Sequence, residues 1–134
     1  MKYFTLLLSM MLCAMGAQAQ VDITFRVDMS GQTISADGVH VAGDLNGWST
    51  TDHPLADQGD GIYMVTVSLD PGRDIQYKYL NGNAWGTEES APSDCTVGGS
   101  NRIFTVPTVS DTLDLVPFNG CQDVVPTNLS LIHI

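Results

Sequence analysis

A chain of 134 residues is long enough for one hydrophobic core and too short for a barrel enzyme or a two-domain dehydrogenase. Its 15 acidic residues against 5 basic ones leave a formal net charge of −10, so nucleic acid and anionic membrane surfaces are poor partners. With 43% hydrophobic residues and several β-branched runs it is also too apolar to remain disordered.

The chain opens on a segment that reads as a secretory signal peptide over 1–19. Lys2 supplies the positive region, residues 4–12 the apolar stretch, and Ala17-Gln18-Ala19 the small-x-small cleavage pattern. The apolar run is about half the length a membrane-spanning helix needs. No membrane insertion is expected, and the product is expected to be secreted, periplasmic or on the cell surface. Loss of Cys13 with the leader leaves Cys95 and Cys121, which in an oxidising compartment most simply form one disulfide.

From Val21 onward, short alternating runs are separated by Gly, Asp, Asn and Pro, with no window of helical period beyond one turn. The first strand places Ile23, Phe25 and Val27 on one face, and residues 39–42 form a short second strand. Tyr63, Val65, Val67 and Leu69 mark a third. Asp70-Pro71-Gly72 is a turn, with Pro presetting φ and Gly relieving the next position. Ile75, Tyr77 and Tyr79 then face one way, with Gln76 and Lys78 facing the other. Runs at 103–106 and 113–116 complete the set, and Pro107 and Pro117 mark strand ends. Six to eight short strands predict an all-β fold, an immunoglobulin-like antiparallel β-sandwich over 20–123. Residues 124–134 read as an irregular tail, truncated or non-native, because the apolar run at 129–134 has no visible partner.

The strongest local signal is Val41-Ala42-Gly43-Asp44-Leu45-Asn46-Gly47-Trp48, a strand entering a glycine-bearing loop before a Trp. A second Trp, Trp85, follows Asn81-Gly82-Asn83-Ala84, just past the strand that carries Lys78. Neither Trp continues a strand alternation, so both are expected at loop edges; the alternative is that one of them, being large and often partly buried, plugs the sandwich. A pyranose has one apolar C–H face and a rim of hydroxyls, so it needs a flat π surface together with paired donors and acceptors. Trp48 and Trp85 can supply the platforms, Lys78 can donate to ring hydroxyls, and Asn101 or Asn83 can make two-way amide bonds.

The segments 41–48, Ile75-Gln76-Tyr77-Lys78-Tyr79 with Trp85, and Asn101-Arg102-Ile103-Phe104-Thr105-Val106-Pro107 resemble the starch- and glycogen-binding modules of carbohydrate-binding module families 20 and 48. The glycogen-binding domain of the AMP-activated kinase β subunit is one of these. Order and spacing match over residues 21–107. The resemblance implies an α-glucan site made of Trp48, Lys78, Trp85 and Asn101. The chain departs from the family pattern at 86–99, a longer insert containing Cys95, which is placed to reshape or cover the sugar platform.

Other candidates carry less. Asp57-Gln58-Gly59-Asp60-Gly61 lacks EF-hand spacing and reads as a hairpin turn. Adjacent Glu88 and Glu89 point to opposite faces of an extended chain, unlike a glycosidase acid–base pair held across a cleft. His40 and His53 have no nucleophile in a recognisable elbow and read as ordinary surface or half-buried histidines. Arg102 is expected to pair with an acidic neighbour or to flank the sugar site. Two thiols and scattered histidines make no metal-ligand set, and no cofactor is implied. The expectation is therefore a non-enzymatic module that binds a polysaccharide or oligosaccharide. Two alternatives stand beside it: a spacer contacting other domains of a longer surface protein, and an accessory domain of a glycoside hydrolase.

Overall fold

A computed structural model describes residues 18–122 of the chain. The 124–134 reading, and all of the leader reading but its last two residues, lie outside the described residues.

Alternation writes the first strand directly. β1 (Val21–Asp28) buries Val21, Ile23, Phe25 and Val27 and turns Asp22, Thr24 and Arg26 outward. Eight residues of β1 pair antiparallel with β4 (Ile62–Leu69), from Val21 opposite Leu69 to Asp28 opposite Ile62. The facing layer is built on β5 (Asp74–Asn81), flanked by β2 (Val39–Gly43) and β6 (Arg102–Thr105), both antiparallel to it. The Asp70-Pro71-Gly72 turn delivers β5, with Gly72 at φ 84°, a conformation that Cβ would strain.

β3 (Pro54–Asp57) was not anticipated from the sequence. It is four residues long and buries a single apolar side chain, Leu55, so it carries no alternation to read. It pairs with both β2 and β4, joining the two layers into one path of strands, β6-β5-β2-β3-β4-β1, that ends on β7 (Asp111–Thr112). The Asp57–Gly61 segment is the β3–β4 hairpin turn, where the Asp57 carboxylate accepts the Gly59 N–H at 2.8 Å.

The run expected at 113–116 is corrected. Two short strands stand there instead, β7 just before the run and β8 (Val116–Pro117) taking only its last residue, both pairing parallel with β1, so the sheet is not antiparallel throughout. After β6 the chain crosses to the other layer and meets the outer edge of β1 already running in the same direction, which forces parallel pairing.

The core lies between the layers. Phe25 of β1 meets Tyr77 of β5 and Phe104 of β6 edge-on, with ring centroids 5.2 and 5.5 Å apart. Val39, Val41, Leu69, Ile75 and Tyr79 close around them. Tyr79 is fully buried, and its hydroxyl donates to the Arg26 carbonyl across the core at 3.1 Å.

Candidate functional site

β2 is buried on both faces. Val39 and Val41 belong to the core, whereas His40 and Ala42 lie on the opposite face, over which the loops after β2 and β5 fold. His40 is accordingly buried, neither surface nor half-buried, and its Nδ1–H donates to the Gly82 carbonyl at 2.7 Å. Gly43 ends β2 where a side chain has no room: a Cβ there would sit 2.7 Å from Tyr77 Cβ and 2.8 Å from Tyr77 Cα.

Asn46 organises the loop that follows. Its side-chain oxygen accepts the N–H groups of Gly43 (3.1 Å) and Ser49 (3.2 Å). Its amide nitrogen lies 3.0 to 3.1 Å from the carbonyls of Val41 and Ser49 and from His53 Nδ1, its two N–H groups shared among the three acceptors. This hub forces Gly47 and Trp48 into the left-handed region, each at φ 63°. A bulky residue there stores strain of about 1–3 kcal/mol and persists only where the surroundings impose it.

The four residues expected to form the site fall into two adjacent groups on the outer face of β2, β5 and β6. The half-buried Trp48 and the 53% exposed Trp85 stand with ring centroids 6.3 Å apart and planes tilted by 38°. Their loops are stitched together by Thr50, whose hydroxyl donates to the Asn83 carbonyl at 2.8 Å. Lys78 faces outward between Ala42 on β2 and the β6 side, where the Tyr77–Arg102 register sets Asn101 beside it. Lys78 Nζ donates to Ser100 Oγ at 3.1 Å, and Asn101 Nδ2 donates to Gln76 Oε1 at 3.1 Å. Ile103, opposite Gln76 and 44% exposed, extends this face.

The 86–99 insert begins beside Trp85, where Thr87 Oγ1 donates to the Ala84 carbonyl, and is tied down further along its length. Cys95 and Cys121 are joined, with Cα atoms 5.6 Å apart, and Glu89 plunges inward to meet Arg102. That pair is bidentate: Arg102 Nε and Nη2 donate to the two Glu89 oxygens at 2.8 and 2.7 Å. Burial is the strongest single influence and opposes the Arg102 charge, but the hydrogen bonds to Glu89, the Glu89 charge and the nearby Tyr77 and Tyr79 together outweigh it and hold the guanidinium pKa above its ordinary value. Arg102 is thus committed to the interior, 4% exposed, rather than flanking the sugar platform.

Glu88 points the other way. Its own N–H and that of Gly86 hold its carboxyl pKa below the usual value, with a smaller pull from the Lys78 charge. Two residues escaped the reading of the sequence: Asp44, which accepts the Trp48 indole N–H at 3.1 Å, and Gln76, which contacts Asn101. Gln76 was accessible from alternation, since it shares the outward face of β5 with Lys78. Among the described residues no group of three or more His, Cys, Asp or Glu side chains could hold a metal ion, and no helix is long and apolar enough to cross a membrane.

An alpha-amylase of Niallia circulans is 34% identical over 107 residues, covering 78% of this chain. The chain spans 7% of that relative's length. The glycoside hydrolase family 15 glucoamylase from Hypocrea jecorina superposes with a TM-score of 0.57 at 25% identity, over 75% of this chain and 17% of its own. The family 20 carbohydrate-binding module of the maltotetraose-forming amylase from Pseudomonas saccharophila STB07 superposes over its whole length and 73% of this chain. Its TM-score is 0.52 at 21% identity, a likeness of fold. The family model described as carbohydrate-binding module 48 (isoamylase N-terminal domain) matches residues 15–95, which contain Trp48, Lys78 and Trp85. The chain belongs to the carbohydrate-binding module 48 family.

Proposed function

We propose that this module binds α-glucan chains of the starch and glycogen class without cleaving them, and that it does so outside the cytoplasm. The observation that carries the reading is the Trp48–Trp85 pair, two indoles 6.3 Å apart whose 38° tilt suits a chain that curves between successive rings. Each indole offers a flat apolar surface to the C–H face of a pyranose. Lys78 gives one of its three N–H groups to Ser100, so the others can meet ring hydroxyls. Asn101 gives one amide N–H to Gln76 and keeps its carbonyl oxygen and second N–H for a hydroxyl that both donates and accepts.

Two shallow stacking contacts support modest affinity, roughly micromolar to millimolar. Titration calorimetry with maltoheptaose tests the site. Trp48→Ala and Trp85→Ala should each remove about 1 to 3 kcal/mol of binding, by analogy with aromatic stacking on nucleobases. Wild-type affinity in both variants would reject the assignment. The small share of the amylase covered by this chain favours a role as an accessory domain that delivers a larger protein to its polymer. Co-sedimentation with insoluble starch separates this from a spacer, which would stay in the supernatant.

A further inference from the structure

Asp44 is held at every polar group it has. Its N–H donates to the Gln76 carbonyl at 2.9 Å, and its own carbonyl accepts Arg73 Nη2 at 3.1 Å. One carboxylate oxygen accepts the Gln76 N–H at 2.9 Å and the other accepts the Trp48 indole N–H at 3.1 Å. β2 has ended at Gly43, so the Asp44 side chain stands in for the next rung of the β2–β5 ladder and ties the indole to the strand that carries Lys78.

We infer that Asp44 is the positioning residue of the site: its carboxylate clamps Trp48 Nε1–H to the β5 backbone, setting the plane of that indole relative to Lys78. The inference rests on the reading of Trp48 as a stacking platform. The left-handed φ of Trp48 sharpens the need, because a strained backbone does not by itself select one ring orientation. A ring held in place before the ligand arrives also spares the binding step the entropy of ordering it. The carboxylate has two oxygens for two N–H donors. An amide has one, and its NH2 group would face the other donor.

Asp44→Asn should therefore weaken maltoheptaose binding about three- to tenfold. It should also move the Trp48 indole resonance in a proton–nitrogen correlation spectrum and lower the order of that N–H bond. Asp57→Asn, which removes a charge at the remote β3–β4 turn, should change neither readout. In a Trp48→Phe background, which lacks the indole N–H, Asp44→Asn should cause no further loss of affinity. A loss that persists there means Asp44 acts through the fold, and the inference fails. In the wild-type protein the Trp48 indole proton should exchange with solvent more slowly than that of Trp85, and equal rates would also overturn it. If the wild type does not bind maltoheptaose, the functional reading falls, whereas the indole resonance and exchange rate still decide whether Asp44 holds the ring.

Discussion

Glu89 gathers three parts of the chain onto one carboxylate. It accepts the Arg102 guanidinium from β6, the Tyr79 N–H of β5 at 3.0 Å and the Asn119 N–H at 3.3 Å. Arg102 in turn donates to the carbonyls of Pro117 (3.2 Å) and Gly120 (2.7 Å). Removing one partner of a buried pair strands the other charge, so Glu89→Ala should destabilise the module by about 3–5 kcal/mol in urea unfolding. Tyr77 gives a prediction of opposite character. Burial pushes its phenol up to about 12, against the pull of the nearby Arg102 charge, whereas the unfolded phenol titrates near 10. The raised value makes its contribution complete below about pH 10 and lost as pH climbs to about 12, a fall on the order of 2–3 kcal/mol. Urea melts across that window should show a shallower decline in Tyr77→Phe, which has no phenol to ionise.

At the scale of elements, the site depends on how closely β2 approaches β5. Gly43→Ala would drive a Cβ into the Tyr77 backbone and the Gln76 carbonyl, neither of which can swing aside. Overpacking of this kind costs about 1–3 kcal/mol. Because Asp44 and the Trp48 loop begin at the next residue, maltoheptaose affinity should fall along with the melting temperature. The 86–99 loop depends on a different restraint. Its disulfide closes a sequence separation of 26 residues, worth about 3.5 kcal/mol in the chain-entropy model. Reduction or Cys95→Ser with Cys121→Ser should lower stability by that order in denaturant titration. Stacking on Trp48 and Trp85 should survive in whatever fraction remains folded, because the indole loops are held by Asp44, by the Thr50–Asn83 bond and by the Thr87–Ala84 bond, none of which passes through the disulfide.

For the molecule as a whole, a net charge of −10 repels polyanions and leaves a neutral polysaccharide unaffected. Raising the salt concentration roughly tenfold should therefore leave maltoheptaose affinity nearly constant, since screening acts on charges and the ligand has none. A steep salt dependence in calorimetry would point to a charged ligand instead. The fold meets the other requirement of a binding module, a rigid base: both layers share one aromatic core, and the loops that carry the indoles are fastened to β2 and β5, and to each other, by side-chain hydrogen bonds.

Much of this arrangement is written locally. Alternation along 21–27 and 75–79 assigns inward and outward faces, because successive side chains on a strand point oppositely whatever the partner strand is. The outward Lys78, the loop positions of Trp48 and Trp85, the turn at Gly72 and an acidic partner for Arg102 all follow from rules that act within a few residues. Local rules stop where pairing begins. β3 has one buried apolar residue and exists because two other strands accept it, and β7 and β8 run parallel to β1 because the chain arrives there after crossing the sandwich. The choice of Glu89 for Arg102, the burial of His40 and the anchoring of Asp44 on β5 depend on groups 13, 42 and 32 residues apart in sequence. Only the folded chain brings such groups within hydrogen-bonding distance, since hydrogen bonds reach about 3 Å and carry no memory of sequence separation.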